Sequence, residues 1–375
     1  VYHGYGRQNQ DISKSTSDLI LTTYATLRND IRLFTPKTFN YVILDEAQNI
    51  KNKNTRTFKE LTKVQAENRL ALSGTPIENG LSDVKSIFDF LMPGFLGADK
   101  LFFSTYNENF EELGKKIAPL ILRRKKEDVL AELPEKTIEN LYVDMTKSQS
   151  DIYDTYFKAA QSEALSIMRD EAGFQRSRFL ILTLLLRLRQ ICCHPRLTKE
   201  ELSGKGLSGK LEALRELVDS ICAENHKVLV FSQFSKMLEI IQEDLSDYKD
   251  QILTMTGKTQ NRQEIIDAFK ENPETRIFLM TLKVGGVGLN LTEADYVIIF
   301  DPWWNPASEA QAIDRTHRIG QNKPVFVYRL IAKDSIEEKV LELQKRKQSV
   351  ADGVLSGSER DGGSFGKEEL TYLFS

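Results

Sequence analysis

Four groups of residues have types and spacings that could do chemistry. The first is Asp45-Glu46-Ala47-Gln48, directly behind the apolar run Tyr41–Leu44. Two carboxylates at the end of a strand sit on the rim where ligands bind in parallel α/β sheets. Nucleotide hydrolysis needs one acidic group to hold Mg²⁺ and another to orient or deprotonate the attacking water. Asp45 suits the first task and Glu46 the second. The second group is Ser73-Gly74-Thr75-Pro76, again behind a strand-like run, a candidate loop for sensing nucleotide and shifting on DNA. The third is Gln311-x-x-x-Arg315-x-x-Arg318, whose spacings place the three side chains on one helical face. Two arginines so placed can neutralise charge developing on a γ-phosphate. The fourth is Thr281-Leu-Lys283-Val-Gly285-Gly286-Val-Gly288-Leu-Asn290. Its glycines let a backbone approach a phosphate closely. Thr281, Lys283 and Asn290 can donate to DNA phosphates, contacts that position a protein without reading sequence.

Each group alone has a plainer reading. An acidic pair behind a strand is usually a solvated turn, and Ser-Gly-Thr-Pro a tight turn whose hydroxyls cap the next helix. An arginine face is commonly solvated, and a glycine-rich turn is a weak signal. Gly257-Lys258-Thr259 imitates the end of a phosphate-binding loop, but the position that should hold the first glycine is Ile252. Ser208-Gly209-Lys210 fails because Leu211 follows. No Gly-x-x-x-x-Gly-Lys-Ser/Thr run occurs anywhere in the chain.

These groups need elements to hold them. In the second half, the apolar runs Val228–Phe231, Ile252–Met255, Ile277–Met280, Val297–Phe300 and Val325–Ile331 alternate with helical patterns at Lys236–Leu245, Arg262–Phe269 and Ala307–Ile319. That alternation predicts a parallel sheet covered on both faces, with its functional loops on one edge. The first part has three strand-like runs, Leu19–Thr22, Tyr41–Leu44 and Leu70–Leu72, with too few helices for a whole doubly wound sheet. The region between reads as mainly helical; Thr146-x-x-Gln149 is a capping-box pattern opening a long helix, and Ser335-x-x-Glu338 another. Phe179–Leu186 reads as a buried helix, and Leu355–Gly366 as a mobile Gly/Ser-rich stretch.

With 41% hydrophobic and 28% charged residues the 375-residue chain reads as globular, with room for two or three domains. A net charge of −3 argues against coating nucleic acid by bulk charge, while leaving room for a basic stripe. Three cysteines without a CxxC pair suggest neither a disulfide framework nor a zinc site, and fit a reducing, intracellular setting. No segment reads as a signal peptide or membrane span. The first residue, Val1, suggests a fragment that begins inside a larger protein.

Taken together, the pieces resemble the SWI/SNF-type DNA-dependent ATPases of helicase superfamily 2. Asp18–Ile31 is similar to that family's motif Ib, Leu44–Asn52 to motif II and Leu70–Leu96 to motif III and its continuation. Leu122–Lys136 resembles the link through the helical insertions, Lys227–Phe234 motif IV, and Phe278–Gln321, with DPWWNP and DRTHRIGQ, motifs V and VI. The resemblance implies an α/β fold of two RecA-like lobes, the first incomplete, with parallel sheets flanked by helices and helical insertions between them. It implies a partial first lobe at 1–96, a helical insertion and linker region at 97–206, a second lobe at 207–333 and a C-terminal helix and tail at 334–375.

By the same resemblance, Asp45 and Glu46 bind Mg²⁺ and activate water, Arg315 and Arg318 are arginine fingers, and Gln311 and Gly288 lie near the nucleotide. Ser73, Gly74 and Thr75 couple the two activities; Thr22, Thr23, Thr281, Lys283, Asn290 and Trp304 face the DNA track, though a tryptophan of the Trp303-Trp304 pair could equally be core. Cys192-Cys193-His194-Pro195 also matches the family and reads as packing. The implied activity is ATP- and Mg²⁺-dependent translocation on double-stranded DNA, with RNA polymerase or another DNA-bound complex as a protein partner and no membrane. The setting is the cytoplasm and nucleoid of a bacterium or the nucleus of a eukaryote. The family's phosphate-binding motif I is not matched, so the 375 residues alone are expected to hydrolyse little ATP. A non-catalytic DNA- or protein-binding module and a strand-separating helicase are the alternatives.

Overall fold

β1 (Thr38–Leu44) and β2 (Gln65–Ala71) pair in parallel, with Thr38 opposite Gln65 and Leu44 opposite Ala71. The helix Arg56–Leu61 makes the crossover, capped by Thr55, whose hydroxyl accepts from the Phe58 amide. In this computed structural model the described residues are 1–4, 7, 12–74, 81–106, 109–124, 133–168, 171–198, 208–285, 289–303, 306–345 and 367–375. They form two compact units, one within residues 1–122 and the other within 123–345 and 367–375.

In the first unit one face of the β1–β2 sheet packs on Phe34, Ile50, Phe58, Leu61 and Phe90. The other face carries Tyr41, Ile43, Leu70 and Leu72, all exposed. The pleat explains the split, since alternate residues point to opposite faces. Helices Leu81–Leu91, Asp99–Tyr106 and Phe110–Ile117 build a second small core around Phe88, Phe102 and Leu113. The predicted strand at Leu19–Thr22 is not one. That segment is extended, but its ladder is limited to Tyr2 N donating to Leu21 O at 2.7 Å, and Leu19 and Leu21 point to solvent.

The second unit contains the sheet that the second-half periodicity predicts. Its strands are β3 (Lys136–Val143), β4 (Val228–Ser232), β5 (Ile252–Met255), β6 (Ile277–Thr281), β7 (Tyr296–Ile299) and β8 (Val325–Ala332). All pair in parallel, in the order β3-β8-β7-β4-β6-β5. Every residue of the central β4 and β6 is buried, which is why they read as unbroken apolar runs. Helices Gly209–Ala223 and Ser235–Asp244 cover one face, and Arg262–Glu271 and Pro306–Ile313 the other.

β3 lies in the stretch that reads as helical. It pairs along its length with β8, Lys136 opposite Val325 and Val143 opposite Ala332. As an edge strand it leaves Ile138 and Tyr142 exposed, so no clean apolar run marks it in the sequence. Two long helices follow, Lys147–Met168 and Glu171–Cys193, and pack with helical residues 336–345 and the helix Lys367–Leu373. The capping box at Thr146 is half formed. Thr146 Oγ1 accepts the Gln149 amide, but the Gln149 side chain is buried and donates to the Ile191 and Cys192 carbonyls. Phe179–Leu186 is helical but not buried. Ile181 and Leu185 face the core, while Phe179, Leu180, Leu182 and Leu186 are exposed, because the partner helix covers one side only.

Lys210 and Glu337 meet at the junction of these layers. Lys210 Nζ and Glu337 Oε2 are 2.5 Å apart, both almost fully buried. Burial alone lowers the lysine pKa, but the Glu337 carboxylate more than offsets it, so Lys210 stays charged above the usual lysine range. Cys192 and Cys193 are buried beside this pair, and burial pushes both thiols up, away from reactivity. That agrees with the packing role read for the Cys-Cys-His-Pro run. Among the described residues no helix is long and apolar enough to cross a membrane.

Candidate functional site

β1 delivers Asp45 and Glu46 to its C-terminal end, as the sequence predicts. Leu72 N donates to Leu44 O at 2.8 Å and Ala47 N to Leu72 O at 2.9 Å, which laces the loops behind β1 and β2 together. Glu46 adopts φ 50° and ψ 54°, a left-handed conformation that costs a non-glycine residue on the order of 1 kcal/mol. Gln48 Nε2 holds Glu46 Oε2 at 2.5 Å, and Gln48 Oε1 accepts the Ser73 hydroxyl at 2.8 Å. Gln48 therefore bridges the acidic loop and the Ser-Gly loop. No role for Gln48 follows from residue type alone, although it stands two residues behind Glu46.

Asp45 is exposed, with Oδ1 accepting the Glu46 amide at 3.0 Å. Its backbone carbonyl accepts the Tyr24 hydroxyl at 2.8 Å. Burial, then the charges of Asp45 and Glu46, push the Tyr24 pKa far above the usual tyrosine value, so it remains a donor. Mg²⁺ takes one or two carboxylates and completes its shell with water and substrate phosphate. An exposed carboxylate with a second beside it fits that donor set. Among the described residues no group of three or more His, Cys, Asp or Glu could hold a metal. Gly74 is exposed beside Ser73; Thr75 lies outside the described residues.

The arginine group departs from its predicted form. The helix runs only Pro306–Ile313, so Gln311 is on it while Arg315 and Arg318 lie in the turn beyond. The Thr316 hydroxyl donates to Ile313 O at 2.8 Å, competing for a terminal helix carbonyl, and Gly320 at φ 103° completes the turn. One helical face does not join the arginines; a shared acceptor does. Arg315 Nη1 and Arg318 Nη1 both reach Leu289 O, at 3.5 and 3.3 Å. Leu289 belongs to the glycine-rich loop, and Leu291 N donates back to Arg315 O at 3.0 Å. Arg315 is mostly buried and Arg318 exposed.

The DNA-facing set is mixed. Asn290 is exposed, but Thr281 is buried at the end of β6, turned inward by the pleat. Thr22 Oγ1 donates to Tyr2 O at 3.0 Å. Thr23 Oγ1 donates to Thr26 Oγ1 and accepts the Thr26 amide, capping the helix Tyr24–Asn29. Both hydroxyl protons are thus used within the chain. Trp303 is half-buried against the core; Gly288, Trp304 and the Lys283 side chain lie outside the described residues.

Two buried groups that the sequence did not mark tie the arginine turn down. Gln321 Nε2 donates to Thr292 O, Ala294 O and Thr316 O at 3.0, 3.0 and 3.2 Å, and its Oε1 accepts the Asn322 and Lys323 amides. His317 Nε2 lies 2.8 Å from Pro134 O, just before β3. The final glutamine of DRTHRIGQ was visible, but nothing in its residue type announced burial.

The chain is similar to known proteins along most of its length. The SNF2-related domain matches residues 1–197, and the helicase conserved C-terminal domain matches residues 209–320. An uncharacterized ATP-dependent helicase of Mycoplasma genitalium is 38% identical over 99% of this chain and 36% of its own length. The putative ATP-dependent helicase/translocase YwqA of Bacillus subtilis is 36% identical over 96% of this chain and 40% of its own. The chain therefore spans well under half the length of these curated relatives. Among solved structures, the SWI2/SNF2 ATPase core of Sulfolobus solfataricus in complex with dsDNA is 35% identical, with a TM-score of 0.51, over 94% of this chain and 76% of that one. From these domain matches and relatives, the chain belongs to the SNF2-related family of ATP-dependent helicases.

Proposed function

We propose that the polypeptide containing these residues is an ATP-driven motor that moves along double-stranded DNA without reading its sequence. The bonding of both arginines to the carbonyl of the glycine-rich loop carries this reading, because it links the residues that would answer a γ-phosphate to those that would face DNA. Support comes also from similar proteins, the putative helicase/translocase YwqA and the Sulfolobus ATPase core in complex with dsDNA.

In this reading Asp45 holds Mg²⁺ and Glu46 orients the attacking water. Bound Mg²⁺ supplies charge neutralisation on the phosphate oxygens. Gln48 passes a change at Glu46 to Ser73 through two hydrogen bonds. Arg315 and Arg318 leave Leu289 O for the γ-phosphate, which frees the loop that ends at Asn290. Backbone phosphate contacts then alternate with the nucleotide state, independent of base sequence and weaker at high salt.

The test uses these residues joined to a phosphate-binding loop. Duplex DNA stimulates ATP turnover there, and Glu46→Gln abolishes the stimulated rate while duplex binding persists. Turnover that survives Glu46→Gln would show that the carboxylate role is misassigned. Tailed duplex that stays annealed under turnover supports translocation, and strand release supports the helicase alternative. We expect the 375 residues by themselves to turn over little ATP, because they contain no Gly-x-x-x-x-Gly-Lys-Ser/Thr run. A DNA-stimulated rate from the pure chain that Glu46→Gln removes counts against that expectation.

A further inference from the structure

The segment Phe300–Trp303, which leaves β7, is held by side chains from three separate helices. Lys210 Nζ, on the helix Gly209–Ala223, donates to Phe300 O at 2.9 Å. Arg189 Nη2, on the helix Glu171–Cys193, donates to Pro302 O at 2.5 Å. Gln344, in the helical residues 336–345, donates to Trp303 O. The Trp303 amide donates to Glu309 Oε1 at 2.5 Å, and Glu309 Oε2 accepts Arg329 Nε of β8 at 3.0 Å. Within the segment, the Asp301 carboxylate accepts the Ser232 hydroxyl at 2.6 Å and the Gln233 amide at 3.2 Å. Lys210 is also paired with Glu337, from the same helical stretch as Gln344.

Arg189, Lys210, Asp301, Glu309 and Glu337 are each at most 1% exposed. Buried ionised groups are weak devices for stability, since apolar residues of similar volume usually do as well. They are good devices for fixing one geometry, because any displacement leaves a charge unpaired in a low-dielectric interior. Here three donors from different helices converge on three carbonyls within four residues, more than a turn of this length needs. In the chain the helix Pro306–Ile313 and the arginine turn follow this segment.

We propose that Arg189, Lys210 and Gln344 are positioning residues. They fix the 300–303 segment on the sheet edge that it shares with the loop after β6, the edge that the motor reading gives to duplex DNA, and so make the DNA grip of this unit depend on helices Glu171–Cys193 and 336–345. The proposal rests on the DNA-motor reading above.

The chain contains two tryptophans, Trp303 and Trp304, so its tryptophan emission reports this segment directly. The test compares acrylamide quenching of that emission, and affinity for a blunt duplex by fluorescence anisotropy, in the 375-residue chain and its variants. Gln344→Glu keeps the side-chain size, removes the donors and faces Glu309. Arg189→Lys shortens the reach to Pro302 O and serves if Gln344→Glu does not fold, which thermal melting reports. Lys339→Ala is the control, since Lys339 is on the same helix but donates to Ser375 O at 2.6 Å rather than to the segment. The expected result is quenching that rises toward that of the unfolded chain and duplex affinity that falls about tenfold, the effect of one lost hydrogen bond to a fixed group. Lys339→Ala changes neither. Unchanged quenching in Gln344→Glu or Arg189→Lys overturns the proposal, as does an equal loss in Lys339→Ala. Raised quenching with unchanged duplex affinity overturns the dependence of the DNA grip on these helices. If the unsubstituted chain binds no duplex, the motor reading fails at this level, and quenching alone decides whether the segment is held.

Discussion

Arg315 and Arg318 share an acceptor but not an environment. Arg315 is 7% exposed and Arg318 lies open to solvent. Truncating a buried arginine removes packing as well as charge. With a phosphate-binding loop joined, both Arg315→Ala and Arg318→Ala should lower DNA-stimulated turnover by about 10³-fold, the usual worth of such an arginine. Only Arg315→Ala should also lower the melting temperature; calorimetry beside a turnover assay separates the two. His194 gives a second prediction at this scale. Its Nδ1 accepts the Arg196 amide at 3.1 Å, a bond that needs the unprotonated nitrogen. Burial, then the Arg196 charge, lowers its pKa from 6.5 to about 4. The depressed value means the fold prefers the neutral ring, so this contribution is complete above about pH 6.5 and is lost as pH falls toward 4. Urea midpoints measured across that window should fall less steeply in His194→Gln than in the unsubstituted chain.

At the level of elements, close approaches decide more than propensities. Gly209 opens its helix against Asp144, and a Cβ there would lie 2.0 Å from Asp144 O. An alanine in a helix is normally favoured over glycine by about 1 kcal/mol. Here backbone must move, and overpacking of this kind costs about 1–3 kcal/mol. Gly209→Ala should therefore lower the urea midpoint; a raised midpoint would show that β3 and this helix slide apart freely. Gln321 acts on the same scale, since its carboxamide joins residues 292–294 to the turn that holds the arginines. Gln321→Glu loses three donations and should raise hydrogen exchange at the Leu291, Asn322 and Lys323 amides without touching the exchange of β4.

Among the described residues the two units differ in the size of their sheets. The first has a two-stranded sheet with Tyr41, Ile43, Leu70 and Leu72 exposed on one face. The second has six strands and a covered core. Residues 133–375 hold all of that sheet and should fold when expressed alone, giving a cooperative melt. Residues 207–375, the boundary that periodicity suggests, lack β3 and the long helix pair, which leaves β8 as a bare edge and strips half the partners from 336–345. That shorter piece should aggregate or bind a hydrophobic dye; a cooperative melt from it would show that β3 is dispensable.

What the sequence determined by itself is local. Short apolar runs alternating with period-3.6 patterns placed five strands of the second sheet to within a residue or so, because the central strands are buried on both faces and little else produces such runs. The Asp45-Glu46 pair was legible for the same reason, since its place follows from the strand before it. What only the tertiary structure decided is long-range. β3 is half exposed and joins its sheet through a partner nearly two hundred residues away, a pairing that carries no local signal. Arg315 and Arg318 were expected to share a helical face, yet the helix stops at Ile313 and one carbonyl from another loop unites them. Nothing in the sequence singles out Arg189, Lys210, Glu309 or Gln344 for such a task, because residue type does not reveal burial. Their use appears only when three helices close around one segment of backbone.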